Sequence, residues 1–254
     1  MPCSLPQVLI DMTTFPRFRG ALLCASLALL WPVSQASAGI MLNGTRIILN
    51  ADERSASTIV SNLTSSDYAV QTWVNDAADS KGSLSPFIAM PALFKVRAGE
   101  EQVVRIIKTP GQLPEDRESV FYFNAQEIPL LEQKQENTLK VAVRTRVKLF
   151  YRPGHLPGSA QDAPGQLTWK LLAQPSGTVL QVTNPSAYHI TFIAIRVMDG
   201  DTPIELQDVD MVAPKSTQDF PLKRRLKSGS ATVEFSIIND YGGYSDPLKS
   251  SATF

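Results

Sequence analysis

From residue 39 onward, apolar residues recur at alternate positions in short runs, and the three-to-four spacing of an amphipathic helix is almost absent. Runs rich in Val, Ile, Thr, Phe and Tyr predict strands over residues 40–49, 57–62, 69–74, 87–90, 102–107, 119–124 and 138–151. A second set is predicted over 167–171, 179–184, 190–198, 209–212, 217–220, 232–238 and, weakly, 247–254. Between the two sets lies the densest Pro/Gly stretch of the chain, from Pro153 to Gly165, which reads as a linker. Each set spans about 100 residues, the usual size of one immunoglobulin-like sandwich. The pattern therefore predicts an all-β protein of two such domains, residues 39–153 and 166–254, with residues 154–165 between them.

The first 38 residues follow another pattern. Arg17 and Arg19 precede an apolar run from Ala21 to Trp31, and Ala36-Ser37-Ala38 supplies the small residues of a cleavage site. This predicts a secretory signal peptide cut after Ala38. A membrane-anchoring helix needs about 20 apolar residues, and Pro32, Ser34 and Gln35 interrupt the run before that length. The stretch ahead of Arg17 is long for a leader, and Met12 offers an alternative start.

Composition narrows the possible functions. With 24 Lys and Arg against 24 Asp and Glu, the chain has no overall field to gather nucleic acid, so charge-based recognition falls to a few placed residues. Cys3 and Cys24, the two cysteines, both lie in the predicted leader, which leaves the exported part without thiol or disulfide. The two histidines are His155, in the linker, and His189, in a predicted strand of the second domain. They provide neither a zinc ligand set nor a Cys/His nucleophile. No G-x-S-x-G, P-loop or dinucleotide-binding motif is present. The expectation is a protein without catalysis, cofactor or metal, which works by binding energy.

The most informative run is residues 138–151. Alternation puts Leu139, Val141, Val143 and Val147 on one face and Lys140, Arg144, Arg146 and Lys148 on the other. It can be read as a half-buried strand with a solvated cationic face. The alternative is a long strand that offers part of its apolar row to another polypeptide. Upstream, Glu115-Asp116-Arg117-Glu118 enters the apolar Val120-Phe121-Tyr122-Phe123, either as a solvated turn or with a paired buried charge.

Four blocks then become recognisable: Leu113-Pro114-Glu115-Asp116-Arg117-Glu118-Ser119-Val120-Phe121-Tyr122-Phe123-Asn124, Glu127-Ile128-Pro129, Lys148-Leu149-Phe150-Tyr151-Arg152-Pro153 and Asn239-Asp240-Tyr241-Gly242-Gly243. In this order they closely resemble the PapD-like periplasmic pilus-assembly chaperones of Gram-negative bacteria. The resemblance implies a boomerang of two immunoglobulin-like domains with a cleft between them. It implies that Arg46 and Lys148 anchor the C-terminal carboxylate of a pilin subunit, and that Leu139, Val141 and Val143 enter the groove of a pilin lacking its last strand. It further implies an interdomain charge network of Glu118, Arg152 and Asp240, handover of pilins to an outer-membrane usher, and possible self-association of the free chaperone. The short stretch between Glu127 and Asn137, with no bracketing cysteines, resembles the short-loop branch of the family. Read from pattern alone, Arg46 would be a surface residue and the three network charges unrelated. A structural or adhesive immunoglobulin-like module is the competing function class. The two strand sets and the lack of an exported cysteine weigh against its pilin form.

Overall fold

The computed structural model describes residues 39–79, 85–129, 141–222, 224–226 and 229–254. The alternating rows form two sandwiches. In the first, β1 (Ile40–Leu42), β3 (Ala56–Asn62), β7 (Glu101–Lys108) and β5 (Phe87–Met90) hydrogen-bond in that order. The facing sheet runs β2 (Arg46–Asn50), β9 (Arg144–Arg152), β8 (Ser119–Pro129), β4 (Tyr68–Asn75) and β6 (Leu93–Val96). Val60, Val104 and Ile106 from one sheet and Val70, Phe123 and Leu149 from the other are fully buried between them. The expected strand over 40–49 is split in two. Asn43-Gly44-Thr45 turns the chain from one sheet to the other, and the Asn43 side-chain oxygen accepts from Thr58 Oγ1 and the Ile59 amide, each at 2.9 Å.

The second sandwich comprises β10 (Thr168–Gln174), β11 (Gly177–Asn184), β12 (Ile190–Asp199), β13 (Thr202–Glu205), β14 (Met211–Val212), β15 (Ser216–Pro221), β16 (Ser230–Ile237) and β17 (Leu248–Thr253). Its strands pair continuously in the order β13-β12-β16-β17-β10-β11-β15, with β14 added to β12. This sheet wraps around an aromatic centre. The Trp169 ring on β10 lies 5.8 Å from that of Phe192 on β12 and 5.1 Å from that of Phe235 on β16. The alternation did not predict β6 or β13, both four-residue strands at sheet edges. Pro203 within β13 is tolerated because an edge strand can lack a donor.

The Pro/Gly stretch expected to link the domains is folded onto the second one. Leu156 and Ala160 pack against its core, Ala163 is fully buried at the start of a 3-10 turn (Ala163–Gln166), and the Tyr188 hydroxyl donates to the Gly158 carbonyl at 3.0 Å. Here Pro and Gly shape a packed turn, with Gly158 at φ +72°, where other residues are strained.

A buried charge cluster joins the sandwiches. Arg152, the last residue of β9, donates through Nε to Glu118 Oε1 at 2.7 Å and through both terminal nitrogens to the Asp240 carboxylate, each at 2.7 Å. Glu118 immediately precedes β8, and Asp240 lies in the turn after β16. The second Glu118 oxygen accepts from the His189 amide at 2.8 Å and lies 2.8 Å from His189 Nδ1. His189 therefore sits in this joint, one residue before β12 and not within a strand. The Phe150 ring packs 5.6 Å from the His189 ring. Glu118 is 2% exposed, so of the two sequence readings of its cluster the paired buried charge holds for this residue. Burial works against the charged form of Arg152, but the bonds to Asp240 and Glu118 outweigh it and raise its pKa further. At the rim, Lys215 of the second sandwich bonds Asp116 of the first at 2.5 Å. Hydrogen bonds from Arg117 and Lys215 hold the Asp116 carboxyl well below the usual carboxylate range.

Arg152→Met would leave the Glu118 carboxylate buried without a guanidinium, a change worth about 3–5 kcal/mol when a buried pair loses one partner. Urea denaturation should show a loss of that order, partly recovered when Glu118→Gln is added. A loss under about 1 kcal/mol, within reach of an ordinary surface substitution, would contradict a role for the cluster in holding the domains.

Candidate functional site

β2 and β9 run parallel, and their register places Arg46 directly opposite Lys148. Alternation sends Ile47, Leu49 and Leu149 into the first core and turns Arg46, Lys148, Phe150 and Arg152 to the opposite face, where they meet the second sandwich. Arg46 donates through NH1 to the Ile238 carbonyl at 2.9 Å, and its guanidinium lies 5.8 Å from the centre of the Phe150 ring. The Arg46 Nε is buried without an acceptor. Lys148 has Asp210 at 4.0 Å, the outer limit of ion pairing. Burial lowers the pKa of Arg46, against the attraction of Asp240 and Glu118 and with the repulsion of Arg152. Burial also lowers that of Lys148, with Asp210 opposing the shift and the positive charge of Arg46 adding to it. Two neighbouring cations are thus partly desolvated and under-paired, a setting that suits a carboxylate able to accept charge-assisted bonds from both. Arg46 also borders a cleft of about 720 Å³ whose lining includes Phe150, Arg152, His189, Ile238 and Tyr241.

Of the strand expected over 138–151, residues 138–140 lie outside the described residues, and β9 begins at Arg144. The cause is its partners. The last backbone bond to β8 runs from the Glu127 amide to the Val143 carbonyl at 2.9 Å. On the other side, β2 begins opposite Lys148 and covers only 148–152. Because backbone groups alternate sides in an antiparallel pair, those of Arg144 and Arg146 point away from β8, along an edge with no strand partner among the described residues. The apolar row of the same strand leaves the core by degrees. Leu149 is fully buried and Val147 packs against the core, whereas Val143 is 47% and Val141 63% exposed.

The cationic face of β9 is tied down and is not simply solvated. Arg144 bonds Asp79 at 2.8 and 2.9 Å and Asn124 at 2.8 Å, and lies 5.1 Å from the Trp73 ring centre. Arg146 lies 3.8 Å over Tyr122 and donates to the Asp76 carbonyl at 2.9 Å. These contacts fix the outer face of the strand while its inner row runs on into solvent.

The structure therefore brings Arg46 to Lys148 and brings Glu118, Arg152 and Asp240 together, and it exposes Val141 and Val143. Leu139, the predicted leader and most of the stretch preceding Asn137 lie outside the described residues. Sequence reasoning missed Phe150, His189 and the Ile238 carbonyl. Phe150 carried a signal, since an apolar residue in the polar row between Lys148 and Arg152 announces a second contact. His189 and the carbonyl carried none.

Comparison with known proteins shows the family. Residues 39–157 match the family described as pili and flagellar-assembly chaperone, PapD N-terminal domain, and residues 162–248 match the pili assembly chaperone PapD, C-terminal domain. The chain is 39% identical over 232 residues to the chaperone protein PmfD of Proteus mirabilis, covering 88% of this chain and 87% of that protein. It is 36% identical over 227 residues to the probable fimbrial chaperone LpfB of Escherichia coli O157:H7, covering 88% and 93%. Among solved structures, the YadV chaperone superposes with a TM-score of 0.73 at 33% identity, covering 85% of this chain and all of that one. The SafB chaperone of Salmonella enterica, solved in complex with the SafA pilin, gives a TM-score of 0.71 at 26% identity over 84% of this chain and 96% of that one. With both domains matched across most of its length, the chain belongs to the PapD family of pilus-assembly chaperones.

Proposed function

We propose that the protein is a periplasmic chaperone that holds pilus subunits by lending them the exposed run that leads into β9 and passes them to an outer-membrane usher. The observation that carries this reading is the edge of β9 at Arg144 and Arg146, which has no strand partner among the described residues. A strand laid along the free edge at Arg144 and Arg146 continues the line of β2, and its last residue meets Arg46 and Lys148, the first opposed pair of that ladder. Such a guest strand must run parallel to β9, with its terminal carboxylate on the two cations. Its register then places Val143, Val141 and, further out, Leu139 against the guest's own core. Full burial of three branched aliphatic side chains is worth about 1.5–3 kcal/mol each. The carboxylate bonds set the register, and the apolar row contributes most of the affinity.

The relative solved with a bound pilin supports a pilin as the guest. The predicted leader supports export, and the family of chaperones supports binding in place of catalysis. The same unpaired edge gives the free protein a route to associate with itself.

Arg46→Ala and Lys148→Ala should each abolish recovery of subunit–chaperone complexes on co-expression with the pilins of its own operon, while circular dichroism shows a folded protein. Val141→Asp should raise the dissociation rate of the complex at least tenfold. Wild-type recovery from the cation variants, or an unchanged rate for Val141→Asp, would contradict the anchor and the donated row respectively.

The Lys148 shift gives a pH dependence. Burial lowers its pKa in the free protein, and a docked carboxylate favours the charged form, so binding above the free-state pKa takes up a proton. Affinity should be level below that pKa and fall as pH rises through it, starting below the ordinary lysine value of about 10.4. In Lys148→Arg the fall should vanish, because guanidinium keeps its proton. A wild-type affinity that stays flat through the ordinary lysine range would contradict the assignment.

A further inference from the structure

The core-facing row of β8 reads Phe121, Phe123, Ala125 and then Glu127. Period-two alternation calls for an apolar side chain at the fourth place, yet a carboxylate sits there, 3% exposed. A buried carboxylate without a cation is costly. Its Oε1 accepts from the Ile40 amide at 2.8 Å, and among the described residues no Lys, Arg or His side chain pairs with it. The residue lying against it is Gly39. A methyl group on Gly39 would overlap both Glu127 carboxylate oxygens, so the carboxylate occupies the space a side chain would need. The Gly39 nitrogen is one bond from the same α-carbon and hence within about 5 Å of these oxygens.

We infer that the Glu127 carboxylate is a binding site for the α-ammonium group that removal of the leader after Ala38 creates on Gly39. This rests on the signal-peptide reading. Before the cut, the Gly39 nitrogen is a neutral amide with one donor. Hydrolysis of the Ala38–Gly39 bond turns it into an ammonium with three donors and a full charge. The backbone there is already placed, because Ile40 is buried and pairs with Asn62 across β1 and β3. The new charge neutralises Glu127 without moving the strand. Processing thereby completes the first sandwich. Glycine is the residue that satisfies both demands, a small residue after the cut and space for the carboxylate.

Intact-mass measurement of the exported chain should give a start at Gly39, and any other start would overturn the processing half of the inference. The ion pair itself is tested on two purified forms, one beginning at Gly39 and one with a single alanine ahead of it, each in the wild-type and Glu127→Gln backgrounds. The added alanine should lower the folding equilibrium constant at least tenfold in the wild-type background and less than threefold in Glu127→Gln. Equal losses in both would overturn the ion pair and leave a steric effect. Should Glu127→Gln fail to fold, NMR titration of the Gly39 α-carbon in the wild-type protein decides. An α-amino pKa above the ordinary range of about 7.7–8.0 supports the pair, and one within that range overturns it.

Discussion

The forked bond of Arg152 to Glu118 and Asp240 is the constraint on which the rest of the site depends. Arginine suits the position because it keeps its proton and presents two edges at fixed angles, one for each carboxylate. Glu118 immediately precedes β8 and Asp240 follows β16, so one side chain ties the entry to one sandwich's central hairpin to the turn after β16 of the other. That same turn carries the Ile238 carbonyl, which holds Arg46. Fixing the joint therefore fixes one anchor cation, and the parallel register of β2 and β9 brings the second alongside.

The C-terminal half of β9 is sealed between β2 and β8, whereas its N-terminal half has a strand neighbour on one side only among the described residues. A free edge with an exposed apolar row is an aggregation hazard in most proteins. Here Arg144 and Arg146 limit it by binding back over β4 and β8 through Asp79, Asn124, Trp73 and Tyr122. The strand is held on its outer face, and at its end stand Arg46 and Lys148, the pair proposed above to anchor a guest's terminal carboxylate.

The all-β class, the two-domain division and the position of most strands were legible because each buried row obeys a period of two, as in β3 and β7. β6 and β13 were not, since four residues at an edge bury too little to leave a pattern. The Pro/Gly stretch lies where the two matched domains meet, but its packing onto the second was not legible, because Pro and Gly mark a packed turn and a tether alike, and only burial of Ala163 and the bond from Tyr188 tell them apart. Arg46 and Lys148 are far apart in sequence, and nothing in their own surroundings announces a parallel pairing. The family resemblance picked them out before the register did. His189 looked like an isolated histidine because its partner, Glu118, lies in the other domain. The burial of Glu127 was not legible, since the predicted strand stopped at residue 124 and β8 runs on to Pro129.

The central claim is that the open edge of β9 receives the guest strand. Amide hydrogen exchange in the free chaperone and in a chaperone–pilin complex, resolved to single residues, tests it most directly. The amides of Arg144 and Arg146, which point away from β8, should exchange quickly in the free protein and become strongly protected in the complex. Those of Thr145 and Val147, already directed at β8, should change little. Equal exchange of Arg144 and Arg146 in both states would show that the guest docks elsewhere and would contradict the account.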